Sequence, residues 1–364
     1  MFCNLTEIRR ALHRIPETGF DVQETREYVL SHLKNTRAEI STAAGTGILA
    51  YFDFGRDHAI AFRADMDGLD AEEPAGCGYE SVHPGRMHAC GHDAHMAMLI
   101  GLAKEIDRMK EARANVLLVF QPAEESGGGG GVLVKEGALS RYNVREVYAI
   151  HVDPILPLGA VASRPGPMMA MATETHVTAR GKAVHIAKWR EGVDGLCAMT
   201  RFLSRAYDAE EALPPDVPRL MRFGRIQGGS AVNILADEVK IGGSIRAYDR
   251  EVYGHLRDAL LTAAKDVEAQ TGAAFEFQFL EGYPAVRNDA ELFERTKRAI
   301  PELVTLPEPS LLAEDFGFYT DEAPGVMLFL GLGTGAALHS TAFRVDDRAL
   351  EVGVQAFLRI LQCV

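Results

Sequence analysis

The residues with the clearest capacity for chemistry lie in a nine-residue stretch, 87–95, that reads Met-His-Ala-Cys-Gly-His-Asp-Ala-His. It holds three of the 12 His and one of the 5 Cys in the chain. Thiolates, imidazoles and carboxylates are the side chains that bind borderline divalent metals. A structural zinc site usually needs four ligands at finger-like or ribbon-like spacing, which this stretch lacks. Further ligands must therefore come from elsewhere in the chain.

Candidate partners follow short apolar runs that read as buried strands. Glu124 and Glu125 come after one run, in Gln-Pro-Ala-Glu-Glu-Ser, and His151 ends the next. His339 lies in a Gly-rich loop after another strand. Taken singly, each is more typical of a plainer role: a solvated acidic loop for the glutamates, a structural His for His151 and a loop His for His339. Because open α/β sheets place their sites at the carboxyl ends of strands, the set together predicts one shared site.

A further apolar strand ends in Arg63-Ala64-Asp65-Met66-Asp67. Its carboxylates are compatible with a turn that merely ends the strand. Asp65 or Asp67 would alternatively orient a ligand or a base from behind the site.

The elements that must position these residues alternate between strands and helices. Apolar runs predict buried strands at 47–54, 59–64, 115–120 and 146–152. Helical spacing of apolar residues predicts helices at 4–15, 21–35, 92–109 and 130–139. This alternation predicts an α/β sheet with helices on its faces.

A different order of elements begins after Pro165-Gly166-Pro167. The patterns predict a strand at 172–180, a helix at 193–208, strands at 219–227 and 238–247, a helix at 249–271 and a strand at 274–281. This β-α-β-β-α-β order is the ferredoxin-like unit. The first pattern then resumes with a helix at 289–299, a strand at 326–331 and a helix at 347–361. We therefore predict a catalytic α/β domain of residues 1–168 and 282–364, with a central mixed sheet, and an inserted ferredoxin-like α+β domain of residues 169–281.

The composition and net charge limit the classes of binding partner and the cellular compartment that fit the sequence. The net charge of −13 argues against nucleic acid, because a phosphate backbone needs a basic protein face. Five scattered Cys do not form a disulfide framework, which favours a reducing compartment. The sequence shows neither a signal peptide nor a run of about 20 apolar residues that would span a membrane. We expect a cytoplasmic protein without a membrane partner.

Six motifs occur in the order typical of a known family. They are RADMDGL (63–69), MHACGHDAHMAM (87–98), QPAEE (121–125), HV (151–152), AEDFGFY (313–319) and LHS (338–340). In these motifs, spread over nearly the whole chain, the sequence resembles the dinuclear metallo-amidohydrolases. That family includes hippurate hydrolase, indole-acetyl-amino-acid hydrolases and N-acetyldiaminopimelate deacetylase, and is related to aminoacylases and carboxypeptidases. The resemblance implies a zinc-exopeptidase-like catalytic domain and a dimerisation or lid domain as the insertion.

The resemblance also implies a set of metal ligands around two divalent ions, either Zn, Mn, Co or Ni. Cys90 would bridge the ions as a thiolate. His92 and His151 would complete one site, and Glu125 and His339 the other. By the same resemblance, Glu124 would be the general base and Asp65 an orienting carboxylate.

In the inserted domain, the resemblance implies that His185 reaches the active site of a partner subunit and stabilises the oxyanion. Asn233 and Arg246 would bind the acyl or carboxylate end of the substrate. The sequence departs from the family just after His185, where many relatives have Pro and His. Trp189 and Arg190 stand there instead, and we expect them to alter substrate selection.

The expected activity is hydrolysis of the amide bond in N-acyl amino acids or related N-acyl amines. The expected assembly is a homodimer or a higher homo-oligomer. Two alternatives stay open: a dipeptidase or carboxypeptidase, and a metal-binding dimer without catalytic activity. The sequence identifies neither the acyl group nor the amine.

Overall fold

The computed structural model describes residues 4–363. The helices are α1 (Leu5–His13), α2 (Gln23–Leu33), α3 (His92–Arg108), α4 (Gly129–Lys135), α5 (Gly195–Glu211), α6 (Arg250–Thr271), α7 (Ala290–Ala299), α8 (Gly317–Glu322) and α9 (Ala349–Gln362). The strands are β1 (Glu39–Ala43), β2 (Gly47–Phe52), β3 (Ala59–Asp65), β4 (Leu69–Asp70), β5 (Arg86–Met87), β6 (Asn115–Gln121), β7 (Val144–Asp153), β8 (Val161–Ser163), β9 (Gly166–Met169), β10 (Met171–Arg180), β11 (Arg219–Gly228), β12 (Glu238–Ala247), β13 (Ala274–Glu281), β14 (Val286–Asn288), β15 (Val304–Thr305) and β16 (Gly325–Gly331). Across these residues, no helix combines the length and apolar character needed to cross a membrane.

The chain divides into two compact units, each with its own hydrophobic core. Of the described residues, the first unit comprises 4–168, Val286–Pro309 and 315–363. The second unit comprises Met169–Ala285 and Ser310–Glu314.

The first unit is built on an eight-stranded mixed sheet in the order β1-β2-β6-β3-β7-β16-β8-β15. Its four central strands, β6, β3, β7 and β16, run parallel to one another. Strand β2 is antiparallel to β6, and β8 is antiparallel to β16. This confirms the predicted central mixed sheet flanked by helices. Because the four central strands are parallel, their carboxyl ends lie at the same edge of the sheet.

The central strands form because most of their residues are apolar on both faces of the sheet. Every residue of β3, β6 and β16 is buried, which is typical of parallel strands that helices cover on both sides. Helix α3 packs against β3 and against α1 and α9, so it too is buried over most of its length. The helix begins at His92 directly after Gly91, which caps it in a left-handed conformation with φ of 89°.

The second unit is a four-stranded antiparallel sheet in the order β11-β12-β10-β13. Helices α5 and α6 pack on the sheet, and alternate residues of β10 are buried beneath them. Asp194 and Asp249 cap the two helices by accepting the backbone amides of Cys197 and Glu251. The order β10-α5-β11-β12-α6-β13 confirms the predicted ferredoxin-like arrangement.

Candidate metal centre

The parallel strands of the first unit bring the predicted metal ligands to one edge of its sheet. Glu125 follows the end of β6, and His151 lies near the end of β7. His339 lies in the loop after β16, and its backbone amide donates a hydrogen bond to the carbonyl of Ala89 at 2.9 Å. That bond holds the loop beside Cys90, which immediately precedes Gly91 and α3.

Two groups of potential ligand atoms share the sulfur of Cys90. In one group, ligand atoms of Cys90, His92 and His151 all lie within 4.8 Å of one another. In the other, ligand atoms of Cys90, Glu125 and His339 meet the same limit. The Cys90 Sγ lies 3.4 Å from His151 Nε2, and His339 Nε2 lies 3.1 Å from a Glu125 oxygen. The structure thus gathers all five residues that the sequence analysis assigns as ligands.

Backbone hydrogen bonds determine which nitrogen of the buried imidazoles is available. The Nδ1 of His92 lies 2.8 Å from the carbonyl oxygen of Asp67, and the Nδ1 of His151 lies 2.7 Å from that of Val152. Because a carbonyl oxygen only accepts, each Nδ1 carries a hydrogen, and in the neutral ring each Nε2 is left with a lone pair. The Nε2 of His92 is buried and has no hydrogen-bond partner within residues 4–363. Both Nε2 atoms are therefore oriented as metal ligands.

The electrostatics of the cluster favour a cation. Burial would lower the pKa of His92, but the charges of Asp65, Asp67 and Glu125 raise it to about 10. Burial and the nearby glutamates raise the pKa of the Cys90 thiol well above its usual range. A thiolate at this position therefore requires nearby positive charge, and borderline divalent cations bind both thiolate and imidazole. The donor set fits such ions.

Glu124 lies beside these ligands and is 6% exposed. Its ligand atoms lie within 4.8 Å of those of His92 and Glu125. The preceding residue, Ala123, adopts a left-handed φ of 57°, and His339 has a φ of 60°. Non-glycine residues in this conformation are strained and are held by their surroundings, often at functional sites.

Asp65 lies behind the ligands and does not hydrogen-bond to any of the five. Its Oδ1 lies 2.6 Å from His95 Nδ1, and its Oδ2 accepts a hydrogen bond from Arg63 at 2.8 Å. The Nε2 of His95 accepts the backbone amide of Val152 at 2.9 Å. Although Asp65, His92 and His95 form another close group of ligand-type side chains, both nitrogens of His95 are already engaged. His95 therefore supports the site instead of offering a lone pair.

The role of Asp67, which the sequence alone leaves open, is visible in its contacts. The buried Asp67 carboxylate accepts the backbone amides of Glu124 and Glu125 at 3.0 and 3.1 Å. Its carbonyl also orients His92. The Asp-Met-Asp pattern after a strand indicated a supporting carboxylate but not which groups it would hold.

The three predicted residues of the second unit do not gather at one place within it. His185 and Asn233 are exposed neighbours, because Ile186 donates its amide to the carbonyl of Asn233 at 2.9 Å. Arg246 is half-buried on β12, hydrogen-bonds to Ser244, and is opposite Ala172 at the start of β10. His185 lies beyond the other end of β10 and pairs with Ile234, so it and Arg246 are placed at opposite ends of that strand.

Trp189 and Arg190, which replace the Pro and His of many relatives, are on the short 3-10 helix Ile186–Glu191 next to His185. Trp189 is 56% exposed, and the Arg190 guanidinium lies 4.8 Å from the centre of its ring. These residues therefore present a partly apolar, cationic surface beside His185.

Comparisons with known proteins agree with this arrangement. The Shouchella clausii protein named N-acetyldiaminopimelate deacetylase is 31% identical over 98% of this chain and 97% of its own length. The protein of that name from Streptococcus uberis is 32% identical over 98% of both chains. The crystal structure of a dinuclear metal-binding peptidase of the M20 family from Bacillus subtilis matches with a TM-score of 0.87 and 28% identity, over 98% of this chain and 96% of that one.

The sequence profile of Peptidase family M20/M25/M40 matches residues 61–362. This range contains the complete cluster around Cys90 and the inserted unit. The relatives match over nearly the full chain and the profile over residues 61–362, and both point to hydrolysis of amide bonds. The chain is therefore a hydrolase that belongs to Peptidase family M20/M25/M40.

Proposed function

We propose that this hydrolase cleaves the amide bond of N-acyl amino acids or related N-acyl amines with the help of two divalent metal ions. Five side chains would hold the ions, with Cys90 shared between the two sites. The first ion would be held by Cys90, His92 and His151, and the second by Cys90, Glu125 and His339. The observation that carries the proposal is the pair of ligand groups meeting at one sulfur, with Glu124 beside them.

When bound, the two ions would lower the pKa of a water molecule and polarise the carbonyl of the scissile amide. Glu124 would accept a proton from the attacking water and return it to the leaving nitrogen. The carboxylate is positioned for this work because its backbone is held by Asp67. Asp65 would act indirectly, since its hydrogen bond orients His95 behind the ligands.

The relatives named N-acetyldiaminopimelate deacetylase support an N-acyl amino acid as the substrate. The substrate class therefore includes N-acetyl amino acids that carry a free carboxylate. The ligands suit zinc through thiolate and imidazole, and they also accept manganese, cobalt or nickel. A reducing compartment such as the cytoplasm is proposed because an oxidised Cys90 would not bind metal.

We further propose that the active enzyme is a homodimer in which the second unit completes the site of its partner. His185 would stabilise the oxyanion, and Asn233 and Arg246 would bind the substrate. His185 lies past the end of β10 at Arg180, whereas Arg246 is opposite Ala172 near the start of that strand.

The test is a substrate screen on enzyme that has been stripped of metal and reloaded with each of the four ions. N-acetyl amino acids, N-acetyldiaminopimelate and N-benzoyl amino acids would be compared with dipeptides. We expect turnover of N-acyl amino acids and about two metal ions per chain. Faster turnover of dipeptides would favour a peptidase, and two bound ions without any amide hydrolysis would favour a non-catalytic metal-binding protein.

The residue roles are tested with Glu124→Gln and a matched control. Glu124→Gln keeps the shape of the side chain and removes the base, so we expect bound metal and a loss of turnover of about 10²- to 10⁴-fold. Glu111→Gln makes the same change at an exposed position of the same unit and should have wild-type turnover. Undiminished turnover in Glu124→Gln would overturn the assignment of the base.

A further inference from the structure

A buried polar network lies behind Glu124, and the proposed reaction does not yet use it. Arg63 is on β3, is 2% exposed, and donates hydrogen bonds in three directions. It contacts Asp65 at 2.8 Å, Asp315 at 2.7 Å and Gln121 at 2.9 Å. One guanidinium therefore links the carboxylate behind the metal ligands to a second carboxylate from a distant part of the chain.

Asp315 is the centre of this network and is completely buried. One carboxylate oxygen accepts a hydrogen bond from the Arg63 guanidinium. The other accepts hydrogen bonds from the side-chain amide of Gln121 at 2.7 Å and from the backbone amide of Gly130 at 2.8 Å. A Cβ at Gly130 would lie 2.9 Å from the carbonyl oxygen of Asp315, so this close approach requires glycine. The glycine run after Glu125 thus lets α4 reach the Asp315 carboxylate.

The backbone amide of Asp315 points at the proposed base. It lies 3.4 Å from Oε1 of Glu124, which is a long hydrogen bond in this structure. The side chain of Asp315 is held on several sides, so its amide cannot move independently of Arg63 and Gln121. That amide is therefore linked through its own side chain to Arg63 and Gln121, and it contacts the Glu124 carboxylate directly.

We propose that Arg63 and Asp315 are positioning residues that orient the Glu124 carboxylate through the Asp315 amide. The inference rests on the proposed role of Glu124 as the base. Neither residue is expected to touch the substrate. Misplacing a reacting group by about 1 Å costs on the order of 10²-fold in rate, which is the effect expected when the network is broken.

Asp315→Asn is the sharpest variant because it preserves shape. Both carboxylate oxygens accept hydrogen bonds, and the NH₂ group that replaces one of them can only donate. It would therefore face a donor in either orientation, Arg63 in one and Gln121 and Gly130 in the other, and the hydrogen bonds on that side would be lost. We expect kcat to fall about 10²-fold, with KM within about 3-fold and about two metal ions still bound per chain. A crystal structure of the variant should show the Glu124 carboxylate displaced. Asp321→Asn, an exposed position on α8, is the matched control and should behave as the wild type.

Two further variants keep the proposal testable if Asp315→Asn does not fold. Arg63→Lys keeps the charge but cannot make all three contacts, and it should lower kcat without lowering metal content. Tyr319→Phe removes a hydroxyl that donates to Gln121 at 3.0 Å, and it should lower kcat by a smaller factor. Wild-type kcat in the folded variants, or an unmoved Glu124 in Asp315→Asn, would overturn the proposal.

The same experiment distinguishes the two levels of inference. If the wild type hydrolyses N-acyl amino acids and Glu124→Gln does not, full activity of Asp315→Asn and Arg63→Lys refutes the positioning role alone. An inactive wild type, or an active Glu124→Gln, overturns the proposed function and the positioning role with it.

Discussion

Asp67 accepts a hydrogen bond from the backbone amide of Glu124 at 3.0 Å, and its other oxygen accepts the next amide along the chain. One buried carboxylate thus holds the backbone of both the proposed base and the ligand Glu125. The contact explains how a loop with a strained residue, Ala123, keeps two adjacent glutamates in a defined orientation.

Asp67→Asn should therefore weaken both metal binding and turnover. Its NH₂ group would face one backbone amide, so one of the two hydrogen bonds would be lost. Loss of a supporting contact of this kind typically costs 10- to 100-fold in metal affinity. Competition with a chromophoric chelator measures that affinity, and Asp70→Asn, at an exposed position nearby, is the control. Equal affinity in the two variants would contradict the role of Asp67.

Gly91 lies between the proposed ligands Cys90 and His92, and Gly91→Ala should disturb both. A Cβ there would lie 2.3 Å from a methyl group of Val152, and φ is 89°. We expect a loss of about 3 kcal/mol in the free energy of unfolding, from backbone strain and overpacking together. Denaturant unfolding measures the loss, and metal content should fall with it.

Gly45→Ala separates the two causes. Gly45 also has a positive φ, of 75°, but a Cβ there meets nothing within 4 Å among residues 4–363. It should lose only about 1 kcal/mol and retain its metal. Similar losses in the two variants would show that the contact with Val152 is unimportant.

Much of the fold could be predicted from local patterns because its elements are strongly apolar or periodic. The buried runs 59–64 and 115–120 became β3 and β6, and the helical pattern at 92–109 became α3. The edge strand β1 was not predicted, because Glu39–Ala43 is mostly exposed and carries no apolar run. Edge strands pair on one side only, so the apolar pattern that predicts a strand is weaker in their sequences.

Some features of the site could likewise be predicted from local sequence, and others depend on contacts between distant segments. Residues at the ends of parallel strands could be anticipated, since the sheet itself brings those ends together. The contact of Arg63 with Asp315 joins residues 252 positions apart, and no spacing within either segment indicates it. Asp315 lies within the AEDFGFY motif, but its partners depend on how α4 and the loop before α8 approach each other.

His13 provides a pH-dependent contribution to stability. Its ring nitrogens lie 2.8 Å from Asp93 and 3.0 Å from Glu73, and carboxylate oxygens only accept. Burial alone would lower the pKa of His13, but these hydrogen bonds raise it above its ordinary value. The stabilisation is therefore complete below the unfolded-state pKa of about 6.5 and is lost as pH rises through the folded-state pKa.

His13→Asn should accordingly destabilise the protein most at low pH. We expect a loss of about 3 kcal/mol near pH 6 that shrinks in alkaline solution. His32→Asn is a control whose stability should change with pH in the opposite direction, because burial and Lys104 lower the pKa of His32. That control should gain stability relative to the wild type as pH falls. Unfolding curves from pH 5 to pH 9 measure how the stability of both variants depends on pH. Parallel profiles of stability against pH for the wild type and His13→Asn would disprove the pH-dependent contribution of His13.

Cys90 is shared by both ligand groups, whereas His339 belongs to one, so their substitution should change metal content differently. Cys90→Ser replaces a thiolate by a hydroxyl that stays protonated, and it should reduce the bound metal to well below one ion per chain. His339→Ala should leave about one ion, held by Cys90, His92 and His151. Elemental analysis after gel filtration measures the content, with Cys197→Ser in the second unit as the control. Equal metal loss in His339→Ala and Cys90→Ser would show that the two sites bind metal only together, and unchanged content in Cys90→Ser would exclude the shared thiolate.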